Sequence, residues 1–150
     1  MADQTAAIAW GVEEIPDSSA LFYRVHVTRL AEGRLTAGIF FEQEGSMSVE
    51  WERYATAVDA HGRSKVPSKN GIVALIAGDV RSVPGLAVRH APLPEVRAHS
   101  DVLGLENPVG ATGEEEWVGL KARERKVKIR ERLFALCSGW VIEPPSLRGG

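Results

Sequence analysis

Residues 21–28 read Leu-Phe-Tyr-Arg-Val-His-Val-Thr. In an extended chain successive side chains point to opposite sides. Leu21, Tyr23, Val25 and Val27 therefore fall on one face, and Phe22, Arg24 and His26 on the other. That alternation predicts a strand with an apolar side and a mixed side. Ahead of it, Ile15-Pro16-Asp17-Ser18-Ser19 is turn chemistry, and residues 1–20 read as a lead-in segment. Behind it, residues 33–41 suggest a second strand broken at Gly38, and Ser46–Val49 a short extended piece.

Further along, Ile72–Val80 is apolar almost throughout and reads as a buried strand ended near Gly78-Asp79. Leu86–His90, Ala98–Leu103 and Trp140–Glu143 give three more short strands. Two stretches read as helical. In Glu50–Ala60 the residues Trp51, Tyr54, Ala55 and Val58 recur at helical spacing, with Gly62 as a stop. Residues 114–137 follow a Thr112/Glu115 capping box and precede Gly139. Strands and helices do not alternate regularly. The expected class is a single α+β domain over 21–143: a mostly antiparallel sheet, one helix after the second or third strand, and a long C-terminal helix. Pro144-Pro145 stops the last strand, so 144–150 is expected to be a mobile tail.

Composition limits the function classes. The formal net charge is -2, which gives no whole-molecule attraction for nucleic acid or anionic lipid. One cysteine, Cys137, excludes an internal disulfide framework and a cysteine-rich zinc site. Met1–Trp10 has neither the basic nor the apolar region of a secretory signal. The longest apolar stretch, Gly71–Gly78, is far short of the roughly 20 residues of a membrane span. A cytoplasmic location is expected.

Residues 121–132 carry seven cations, and Lys121, Arg125, Lys126, Lys128 and Arg130 are the candidates there for phosphate contacts. The same stretch also reads as an ordinary solvated helix. Its cations wrap around the axis, Leu120, Val127, Leu133 and Phe134 must find a core, and no aromatic is present to stack on bases. His26, His61, His90 and His99 form no local metal motif, although three of them sit on expected strands. Cys137, at the end of a helix, reads as packing. The sequence contains no phosphate-binding P-loop, no G-x-G-x-x-G and no G-x-S-x-G.

Arg24 and His26 share a strand face, and Ser48 begins the next extended piece. The segments 21–40, 46–58 and 71–80 loosely resemble the opening of ADP-ribosyltransferase-like domains. That resemblance implies Arg24 or His26 and Ser48 as the first two site residues, with Asp101 standing in for the carboxylate, and NAD as the cofactor. An Arg or His can hold a pyrophosphate and a Ser a ribose, while a carboxylate stabilises an oxocarbenium-like centre. The alternative is that Arg24 and His26 line an exposed strand face and Ser48 caps the following helix. Arg24-Val25-His26, Met47–Trp51 and Ala98–Gly104 are also similar to segments of small bacterial proteins, a likeness that implies no particular activity.

The residues themselves imply no cofactor. The reading they favour is a non-catalytic binding or accessory module of a bacterial cytoplasm, with another protein as partner and no membrane. An ADP-ribosyltransferase-like domain, active or degenerate, that binds a nucleotide is the alternative. Nucleic-acid binding through 121–132 ranks below both.

Overall fold

In the computed structural model, which describes residues 10–109 and 117–148, the opening stretch forms strand β1 (Ala20–His26). Its alternation holds: Leu21, Tyr23 and Val25 are buried, while Phe22, Arg24 and His26 are half-buried. There follow β2 (Met47–Trp51), α1 (Ala57–Gly62), β3 (Asn70–Ile76), α2 (Ala77–Arg81), β4 (Ala87–His90), β5 (His99–Leu103), α3 (Ala122–Leu136), β6 (Trp140–Ile142) and α4 (Pro145–Arg148). The six strands make one sheet in the order β4-β5-β2-β1-β3-β6, with every neighbouring pair antiparallel. The chain is one α+β domain with a long helix near its C-terminus.

Residues directly opposite one another in such pairs share a face. The register joins Leu21 to Trp51 and Leu75, and Tyr23 to Val73. These side chains form the inner face. It packs with Ile129 and Leu133 of α3 and with Ile39 and Phe40 from the loop before β2. Arg125, Ile129 and Leu133, four residues apart, are the buried line of α3. Tyr23 lies flat on Phe40, with ring centroids 5.6 Å apart, and its hydroxyl donates to the Ile39 carbonyl at 2.7 Å. Burial pushes that phenol up to about 12.

The register also joins Phe22 to Glu50, Ser48 to Asp101, and Asp101 to Arg89. These belong to the outer face. Part of it lies under α1, whose Ala60 carbonyl takes the Arg24 guanidinium. The rest is open.

Several elements differ from the sequence expectations. No strand spans 33–41. Glu32 and Gly33 both adopt positive φ, at 52° and 76°, and close a tight turn between Ala31 and Arg34. Thr36 then caps a short 3-10 turn that drops Ile39 and Phe40 into the core. The expected helix 50–60 is also absent. Glu50 and Trp51 are claimed by β2, because pairing on both sides satisfies their backbone. The helix starts only at Ala57, where Thr56 and Asp59 cap each other reciprocally, with bonds of 3.0 and 2.9 Å. Val58 of the expected apolar stripe is exposed. Ser48 is therefore a strand residue and caps no helix.

The buried strand at 72–80 ends at Ile76, and α2 follows. The amides of Ala77 and Gly78 bond to Ser19 and Asp17, so the chain turns there under the N-terminal segment. α3 begins at Ala122, with the Glu124 carboxylate accepting from the Lys121 amide. A helix from 114 would have to pass Gly119, whose φ is +87°. The Thr112/Glu115 pair lies outside the described residues.

The ends belong to the domain as far as they are described. Ile15 is buried, and Arg81 holds both the Ile15 carbonyl and Asp17. At the other end Pro144 is buried, and α4 contacts the turn at Pro67–Lys69. Pro144 packs on Gly71, where an added Cβ would come within 2.7 Å of its ring and 2.6 Å of the Ile142 carbonyl. The segment expected as a free tail is thus docked through Leu147; residues 149–150 lie outside the described residues.

Candidate functional site

Beside α1, the outer face is organised around one carboxylate. Glu50 is buried and receives Arg24 at 2.9 Å and Arg63 in a two-pronged grip, the closest contact at 2.6 Å. The Glu50 contact holds Arg63 above its ordinary value, helped by Asp59. Arg24 gives the same nitrogen to the Ala60 carbonyl. This group ties β1, β2 and α1 together and leaves a good part of the Arg24 side chain on the open surface.

Next to it is a depression of about 360 Å³ lined by Arg24, His26, Thr28, Arg29, Phe41, Gln43, Ser48 and Asn70. Three of the four residues singled out from the sequence, Arg24, His26 and Ser48, meet on this one wall. Arg29 lies with its guanidinium 3.5 Å from the centre of the Phe41 ring. It makes no ion pair with a carboxylate among the described residues, and none of the lining residues is acidic. His26 accepts the Thr28 amide at Nδ1, 3.1 Å away, so its neutral ring carries the proton on Nε2.

No family model, curated protein or solved structure matches the chain. What the site does must therefore be read from its own chemistry.

Asp101, the fourth residue, lies opposite Ser48 in the register but outside the depression's lining. Its carboxylate accepts the Ser46 hydroxyl at 3.0 Å. Ser48 meets His99 instead, with 3.3 Å between Oγ and Nε2. Nothing in the sequence alone marks Arg29, Phe41 or His99 for this site. The stacking of Arg29 on Phe41 depends on the loop before β2, and the approach of His99 depends on the β2–β5 register.

A second polar cluster closes the N-terminal segment onto the sheet. The Tyr54 hydroxyl donates to Glu13, whose carboxyl is held low mainly by that bond. Arg97 lies between the rings of Trp10 and Tyr54, at 4.5 and 4.1 Å. His90 is buried, accepts the Glu13 amide and meets the Arg97 carbonyl. These groups chiefly satisfy one another, which makes the cluster a clasp for residues 10–19.

The basic helix does not present the five cations foreseen for phosphate contacts. Arg125 is buried and donates to the carbonyls of Gly104, Leu105 and Glu106 at 2.7–3.2 Å. Desolvation holds it below its ordinary value. Arg130 is half-buried, and Lys126 faces Glu106 at 3.9 Å. Lys121 and Lys128 remain exposed. Burial also raises the Cys137 thiol, as expected of a packed residue.

His26, His90 and His99 do not converge, and no group of three or more metal-ligating side chains occurs among the described residues. No helix among them is long and apolar enough to cross a membrane.

Proposed function

We propose that the chain is a binding module whose ligand carries a phosphate or a similar anion, held in the depression on the outer face. The observation that carries this reading is Arg29. Its guanidinium is flattened on Phe41, exposed and without a carboxylate partner among the described residues. Around it stand two free donors, the His26 Nε2–H and the Gln43 amide, beside the Thr28 hydroxyl, turned to His26 Nδ1 at 2.9 Å, and the Ser48 hydroxyl, turned to His99 at 3.3 Å. A set rich in donors, with one uncompensated cation and no acid, suits an oxyanion. The volume falls in the range of small-molecule sites.

NAD fits this reading as a pyrophosphate-bearing ligand. Transfer of its ADP-ribose would also need a carboxylate beside the ribose. Glu50 and Asp101, the carboxylates that share this face, are engaged elsewhere, Glu50 by two guanidinia and Asp101 by Ser46.

A ligand that binds only the folded state must raise the melting temperature. Millimolar inorganic pyrophosphate, and separately NAD, should raise it by a few degrees. Arg29→Ala should abolish the shift while lowering the unliganded melting temperature by no more than about 4 °C, the cost of its contact with Phe41. Absence of a shift with both probes at low ionic strength would refute the assignment.

A further inference from the structure

All four histidines have their neutral proton placed by a backbone partner. His90 accepts the Glu13 amide at Nδ1 (3.0 Å) and donates from Nε2 to the Arg97 carbonyl (2.7 Å). His26 accepts the Thr28 amide at Nδ1, so Nε2 is a donor. His61 turns Nε2 toward two carbonyls, Pro67 at 2.9 Å and Asn70 at 2.8 Å, and must donate there.

His99 is arranged the other way around. Its Nδ1 lies 2.9 Å from the Ala91 carbonyl, which can only accept, so the proton sits on Nδ1 and Nε2 is bare. That bare nitrogen faces the Ser48 hydroxyl at 3.3 Å. Two of the four rings hold an unprotonated nitrogen against a hydroxyl among the described residues: His26 Nδ1 meets the Thr28 hydroxyl at 2.9 Å but is already filled by the Thr28 amide, whereas His99 Nε2 faces the Ser48 hydroxyl with no backbone donor on it. The His99–Ser48 distance is slightly long for a finished hydrogen bond, as is common in unliganded nucleophile–base pairs. Ser48 is exposed, on a strand paired on both sides, and it forms part of the depression wall. A rigid strand is the support such a pair needs.

We propose that Ser48 and His99 are a nucleophile and its base, and that the chain hydrolyses small activated esters whose acyl part bears a negative charge. Ser48 Oγ attacks the ester carbonyl carbon, and its proton passes to His99 Nε2. The bond from that carbon to the alcohol oxygen breaks, and the departing alcohol takes the proton from His99. A water molecule then attacks the acyl–Ser48 ester, giving a proton to His99. The Oγ–carbon bond breaks, Ser48 recovers the proton and the carboxylic acid leaves. The Ala91 carbonyl keeps the ring oriented throughout and stabilises its positive charge. The preference for an anionic acyl group rests on the binding role given above to Arg29 and His26; the Ser48–His99 chemistry does not.

The test uses the full chain with a fluorophosphonate probe and two p-nitrophenyl esters, neutral acetate and anionic succinate. One adduct on Ser48 is expected by peptide mapping. Release of p-nitrophenol should fall at least tenfold in Ser48→Ala and in His99→Gln, with the circular dichroism of both variants unchanged. Arg29→Ala should slow the succinate ester at least fivefold more than it slows the acetate ester. Equal treatment of the two esters by wild type and Arg29→Ala would remove the anion preference and leave the pair standing. An unlabelled Ser48, or labelling as fast in His99→Gln as in wild type, would overturn the pair. Ser48→Cys supplies an independent reading: iodoacetamide should alkylate it at least fivefold faster with His99 than with Gln at that position, and equal rates would also overturn the pair.

Discussion

The two faces of the sheet are built from the same few strands, yet they are held by different forces. On the inner face Leu21, Tyr23, Val49, Trp51 and Leu75 interlock with Ile129 and Leu133, and stability comes from apolar area removed from water. On the outer face the alternate residues Arg24, His26 and Ser48 are joined by ion pairs and hydrogen bonds at partly solvated positions, and only Glu50 is buried, beneath its two guanidinia. Outside the buried Glu50 group, such contacts add little net stability, because water competes for the same groups. One face can therefore carry the fold while the other is free to carry chemistry.

The largest effect that would test this contrast is on the inner side. Leu133 has no exposed surface, and Leu133→Ala should cost about 3 kcal/mol in urea unfolding through lost transfer energy and a residual cavity. A loss below about 1 kcal/mol would mean that α3 does not seal the core. The next effect is alkaline. An unfolded phenol ionises near its usual pH of about 10, whereas Tyr23 in the folded chain ionises near about 12. The Tyr23 contribution is thus complete below pH about 10 and is lost as the pH rises to about 12. It amounts to about 2–3 kcal/mol. Tyr23→Phe should remove this part of the alkaline decline. The smallest effect lies on the outer face. Ser48→Ala should change stability by less than about 0.5 kcal/mol, as substitutions away from the core usually do. A loss of 2 kcal/mol or more there would erase the distinction between the faces.

Much of the fold is legible in local pattern. The two-residue alternation of 21–28 places β1 and its buried side correctly as far as His26, where a 3-10 turn takes Val27 and Thr28 out of the strand, and β4, β5 and β6 follow from short alternating runs between turn residues. The misreadings have a common cause. Trp51 and Tyr54 have helical spacing, but sheet pairing on both sides of β2 outweighs it. Residues 33–41 are apolar enough for a strand, but two positive-φ residues spend them on a turn and a core plug. Arg125 looks like a surface cation until the carbonyls of 104–106 are brought to it by long-range packing.

The site was half legible. Arg24 and His26 share a face by simple alternation, and Ser48 joins them because β2 pairs with β1. Position along the chain points to Asp101, which lies opposite Ser48 in the register. The group that reaches the Ser48 hydroxyl is nevertheless His99, two residues away and diagonal across the β2–β5 ladder. Which neighbour reaches across a ladder depends on register and side-chain direction, and neither is written in either strand alone.

The outer strands of the sheet bear on how the molecule behaves in a crowd. β4 has four residues and β6 three, and β6 is followed at once by Glu143 and two prolines. An unpaired strand edge is a template on which a second chain can add, and the hazard grows with its length and flatness. Here each edge gives a neighbour only a few backbone groups, and proline lacks the amide that would continue the ladder. Concentrated solutions of this chain should therefore resist edge-to-edge aggregation, even though one whole face of its sheet is left uncovered in part.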